Sequence, residues 1–89
     1  MFTVRPRVDV DKPLLSDKDT CLPSGLFLTP DYARALKYGA GIQVKYGFDL
    51  FKITIHKQYV YRERRDYRVR HMDDTGRVPI EHIELVGRH

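Results

Sequence analysis

The clearest pattern in the chain is the alternation over residues 48–61, FDLFKITIHKQYVY. Phe51, Ile53 and Ile55 stand in phase against Lys52, Thr54 and His56. A period of two over this length predicts a strand with one wet face. Residues 2–10, FTVRPRVDV, repeat the period with Phe2, Val4, Val8 and Val10. Pro6 cannot donate to a ladder, so this is read as an edge strand. Further strands are expected at 25–29 (GLFLT), 67–72 (YRVRHM) and 80–86 (IEHIELV). Residues 11–24 carry two prolines among Asp, Ser and Thr and read as a loop.

One helix is expected, over about residues 30–38. Thr29 can cap it, Pro30 suits its first position and Asp31 favours the positive end of the dipole. Tyr32, Ala35 and Leu36 share a face, and Gly39 is read as the stop. GAGIQVKYG at 39–47 reads as a loop and DDTG at 73–76 as a turn, with Gly76 free to take positive φ. Strands on both sides of a lone helix argue against a doubly wound parallel fold. The expected class is a single small α+β domain over residues 1–89, built mostly on antiparallel sheet.

Composition narrows the classes further. Of the 89 residues, 42% are hydrophobic, enough for one core and too many for a disordered chain. No run of 18 apolar residues marks a membrane span, and no apolar stretch near the N-terminus marks a secretory signal. The lone cysteine, Cys21, fits a reducing compartment, so a cytoplasmic protein is expected. Cys21 reads as a half-buried loop residue rather than a nucleophile, since no spacing selects a partner histidine. The four histidines are scattered and give no metal signature.

The net charge is +4 and uneven. Residues 45–89 hold ten basic side chains against seven acidic ones. Arg62, Arg64, Arg65, Arg68 and Arg70 interleave with Tyr59, Tyr61 and Tyr67. Such a stretch attracts polyanions, either an acidic protein surface or nucleic acid. It is equally a solvated strand face, partly neutralised by Glu63 and Asp66.

The segment from Gly25 to Tyr38, GLFLTPDYARALKY, resembles the central motif of the ADP-ribosyltransferases, in particular the poly(ADP-ribose) polymerase branch. That resemblance implies a fold of the same kind. It also implies that Phe27 and Tyr38 cradle the nicotinamide of NAD, with Thr29 at the strand end beside it. VPIEHIELV at 78–86 is similar to the family's last motif, which would make Glu81 the catalytic carboxylate. A carboxylate there would stabilise the oxocarbenium-like ribose as NAD is cleaved. Arg5 would take the place of the residue that holds NAD on the first strand. The segment departs from the family in lacking most of the helical stretch before the central motif. Each residue also has an ordinary role: Phe27 in the core, Tyr38 packed by its ring, Thr29 as a cap, Glu81 and Arg5 as exposed charges.

Three functions are therefore weighed. One is a binding or inhibitor module on that scaffold, of the sort phages and mobile elements encode, targeting a host protein. The second is an active NAD-dependent transferase. The third is an RNA-directed toxin, since residues 66–89 resemble the strand-turn-strand finish of RelE-like toxins. Arg65, Arg70, His71 and His89 would then bind phosphate and move protons.

Overall fold

A computed structural model describes residues 1–9, 12–13, 15–41, 46–71 and 76–89. Val10, residues 42–45 of the glycine-rich loop, Met72 and residues 73–75 of the expected turn lie outside the described residues.

The centre of the molecule is the strand with the strongest alternation. Among the described residues nine strands, β1 (Phe2–Asp9), β2 (Lys12–Pro13), β3 (Cys21–Pro23), β4 (Phe27–Leu28), β5 (Phe48–Thr54), β6 (Val60–Glu63), β7 (Asp66–Val69), β8 (Arg77–Pro79) and β9 (His82–Arg88), accompany one helix, α1 (Tyr32–Gly41). They form three antiparallel sheets, ordered β2-β1-β5-β9, β3-β8 and β4-β7-β6. The fold is α+β with antiparallel sheet and one helix. No helix among the described residues is long and apolar enough to cross a membrane.

β5 is covered on both faces. Phe48 and Leu50 point to one side, where they pack with Val4 and the helical Ala35. Phe51 and Ile53 point to the other and join Leu22, Leu28, Val69, Val78 and Ile83. Helix α1 thus closes one face of the main sheet, and the two small sheets close the other. Burying each of these large side chains contributes about 1.5–3 kcal/mol.

Several expected elements differ from the observed ones. The stretch 48–61 is divided: β5 ends at Thr54, a 3₁₀ turn occupies Lys57–Tyr59, and β6 then belongs to another sheet. The loop at 11–24 contains β2 and β3, which are too short to show a period; β2 is held by the neighbouring β1 and β3 by the distant β8. β8 is likewise three residues long. The helix starts later and ends later than 30–38. Asp31 caps it, its Oδ1 accepting from the N–H groups of Ala33 and Arg34. Thr29 instead forms an isolated bridge with Phe2, and its hydroxyl accepts from the Asp31 N–H. Gly39 does not stop the helix. It is buried inside it, and a Cβ there would lie 2.3 Å from the Phe48 ring. The glycine permits close contact rather than termination.

Pro6 does not mark a simple edge strand, because β1 lies between β2 and β5. The odd residues of β1 face β5 with their hydrogen bonds: Met1 O accepts from Ile53 and the Arg7 N–H donates to Gly47 O. The missing donor of Pro6 therefore points away from β5, and β2 pairs only from Arg7 onward.

Candidate functional site

Two short elements meet at one pair of rings. Phe27 is on β4, anchored where its carbonyl accepts from the buried Thr3 hydroxyl. Tyr38 is about two turns into α1 and half exposed. Their rings stack at 4.5 Å and 15°. A third ring between them would need a separation of about 7 Å, twice a carbon contact. The stack is therefore closed in this structure.

A groove with two lobes runs on either side of this stack, and both lobes share Phe27, Tyr38 and Arg68. The first lobe, about 570 Å³, adds Arg34, Glu63, Arg64, Arg65 and Asp66. The second, about 540 Å³, adds Arg5 with Val4, Pro6, Ser24, Gly25 and Leu26. The groove is thus lined by five arginines and two acids.

Both acids are engaged. Asp66 takes the Arg34 guanidinium through Nε at 3.0 Å and Nη2. That hydrogen bond, with a smaller one from Thr29, holds the Asp66 carboxyl below its ordinary pKa. Glu63 lies 3.5 Å from Arg68, whose Nη1 also donates to Gly25 O. Among the described residues, Arg5, Arg64 and Arg65 have no side-chain acceptor and no ion pair. Burial lowers the pKa of Arg5, since no carboxylate offsets its loss of water.

The hairpin β6–β7 divides the basic tyrosine-rich stretch between its faces. Tyr61 is paired with Arg68, and Arg62 with Tyr67. Tyr67 and Tyr59 pack against the core, and the Arg62 Nε turns back to Arg64 O. Arg70 lies over the exposed Tyr61 ring at 5.8 Å and donates to Val60 O. Only Arg64, Arg65 and Arg68 of the five reach the groove. Arg64 sits in the two-residue turn at φ 59°, the only non-glycine with positive φ among the described residues. A long side chain is uncommon there, and such conformations concentrate at functional positions.

Glu81 is elsewhere. It is exposed at the bend between β8 and β9, where its N–H donates to Thr54 O on the β9 flank of β5. Phe27 is reached from the β1 flank, and Glu81 lines neither lobe. The structure brings together Arg5, Phe27, Tyr38 and the hairpin arginines and leaves Glu81 out. The histidines of the toxin reading are also separate. His71 contacts Ser24 Oγ at 3.2 Å, while His89 stacks on Phe48 at 5.0 Å. Cys21 lies in β3 rather than in a loop, and its sulfur accepts from Arg77 Nε at 2.9 Å. No group of His, Cys, Asp and Glu among the described residues could hold a metal ion.

Sequence reasoning missed Arg34, an exposed helical cation with no local signal. It also missed Asp49, which is buried and bound by Arg7. Asp49 is in phase with Phe51 and Ile53, and an acid in phase with core residues requires a buried partner. No match to this chain was found among known protein families, curated proteins or solved structures.

Proposed function

We propose that this chain is a non-catalytic binding module, on a scaffold resembling the ADP-ribosyltransferases, that docks an acidic partner protein through the groove beside Phe27 and Tyr38. The observation that carries this reading is the charge imbalance of the groove: five arginines, two acids, and both acids already engaged. A concentrated positive field in a concave site attracts carboxylates and raises the rate of encounter. The scaffold assignment rests on the order of Phe27 before the helix and Tyr38 within it, with the two rings in contact. The non-catalytic assignment rests on the position of Glu81 away from both lobes. Protein is favoured over nucleic acid because the arginines converge on one hollow instead of tracking a strand. The stacked rings are also turned on each other rather than splayed as a platform for bases.

The test is binding of poly-L-glutamate against an oligoribonucleotide of equal charge, read by fluorescence anisotropy at two salt concentrations. Wild type binds the polyglutamate, more weakly at high salt, and Arg64→Glu with Arg65→Glu loses at least tenfold. Tighter binding of the oligoribonucleotide would transfer the proposal to nucleic acid. Incubation with NAD tests the other half. No turnover is expected, and NAD cleavage by wild type that vanishes in Glu81→Gln would restore the transferase.

A further inference from the structure

Arg5 stands on β1 directly across the ladder from Asp49, the acid best placed to neutralise it. Asp49 is not free to do so. Arg7 holds it, and Arg88 approaches it at 3.7 Å. Arg5 is nonetheless half buried, and it lines the second lobe together with Val4, Pro6, Leu26 and Phe27. No buried side-chain nitrogen or oxygen among the described residues lacks a partner. The nitrogens of Arg5 have no partner, so each still opens to the groove. A half-buried guanidinium with no acid beside it loses part of its hydration without recovering it from the protein. An incoming carboxylate would reverse that loss, because the planar fork matches it with two parallel hydrogen bonds.

The second lobe is also too narrow in polar partners for a larger ligand. Besides Arg5 it offers Arg68, already held by Gly25 O and Glu63, the Ser24 hydroxyl beside His71, and the half-exposed Tyr38 on the ridge shared with the first lobe. One anionic group satisfies what remains. We infer that Arg5 is the anchor of the groove and seats a single glutamate or aspartate side chain of the partner, while neighbouring acids of the same segment cross the Phe27–Tyr38 ridge to Arg64 and Arg65. This rests on the proposed function and names the residue on which docking turns.

The experiment uses a capped hexaglutamate peptide, free glutarate, and the variants Arg5→Met, Arg5→Lys and Arg64→Glu with Arg65→Glu. Arg5→Met weakens hexaglutamate at least tenfold, Arg5→Lys recovers part of the loss, and the thermal midpoint of Arg5→Met equals or exceeds that of wild type. Glutarate shifts the Arg5 Nε–H resonance in wild type. If Arg5→Met binds hexaglutamate like wild type while the hairpin double variant does not, the anchor is overturned and the docking groove stands. If hexaglutamate fails to bind but glutarate still moves the Arg5 resonance, the partner reading is overturned and the carboxylate receptor stands. If neither probe binds, both fall. A midpoint lowered by Arg5→Met would make the guanidinium structural and overturn the anchor on its own.

Discussion

Two corners of the molecule use the same side chain in opposite ways. At the end of the β1–β5 ladder, Arg7 donates to Asp49, to Phe48 O at 3.3 Å and to His89 O at 2.9 Å. His89 closes the corner with reciprocal backbone hydrogen bonds to Phe48 and a stacked ring. Gly47, at φ 82°, makes this possible, since a Cβ there would lie 2.0 Å from His89 O. Two residues away on the same strand face, Arg5 has neither acid nor carbonyl. The groove repeats the second pattern at Arg64 and Arg65. A cation contributes to the fold where its acid is buried with it. Where the acid is already taken, the same cation is left for a ligand.

The sharpest way to break this comparison is to remove the acid from the closed corner. Asp49→Ala strands a mostly buried Arg7, and losing one partner of a buried pair costs about 3–5 kcal/mol. The two carbonyls on Arg7 place the expected cost near the lower end. That is a large part of the roughly 5–10 kcal/mol that holds a domain of this size. Urea unfolding should show a midpoint lowered by roughly a third to a half. The double variant Arg7→Met with Asp49→Leu should recover most of the loss. A cost near zero for Asp49→Ala would mean that the two corners do not differ.

The next effect tests how tightly the closed corner is packed. In an exposed helix Gly→Ala is stabilising by about 1 kcal/mol. At Gly39 the added methyl meets the Phe48 ring at 2.3 Å, and overpacking should reverse the sign, costing about 1–3 kcal/mol. Thermal melts of Gly39→Ala, alone and with Phe48→Leu, separate the two terms. The smaller ring partner should turn the substitution favourable again.

Much of this architecture was legible in the chain. The alternation of Phe51 and Ile53 located the central strand, and Pro30 with the following alanines located the helix. The errors share a cause. Gly39 was read by its propensity as a stop, but its neighbour in space, Phe48, lies nine positions on and decides its role. Thr29 was read as a cap from local spacing, while tertiary pairing with Phe2 gave that place to Asp31. β2, β3 and β8 are two or three residues long, too short to show a period, and β3 and β8 owe their conformation to each other across more than fifty residues. For the candidate site, Arg5, Phe27 and Tyr38 line one groove and Glu81 lies outside it. Nothing in sequence could separate the paired arginines from the unpaired ones, because pairing depends on which acids the fold has already used.

The smallest expected effect lies inside the groove and sharpens the comparison most. The pKa of the groove acid Asp66 is held down, chiefly by its hydrogen bond from Arg34. Its folded-state value lies below the ordinary 3.8, so folding favours the ionised form. The resulting stability is fully present above that ordinary value and disappears as pH falls through the lowered one. Asp66→Asn should therefore lower the urea midpoint slightly at pH 7, in keeping with an exposed pair, and match wild type once pH has fallen through the lowered value. A difference that persists in acid would assign the effect to the neutral hydrogen bond with Thr29. The same substitution releases Arg34 into the groove beside Arg64 and Arg65. Polyglutamate should then bind Asp66→Asn more tightly than wild type at pH 7, so that one change weakens the fold and strengthens the site. Opposite signs from a single carboxylate are what the division between folding charges and docking charges requires. A variant weakened in both respects would show instead that Arg34 and Asp66 shape the groove together.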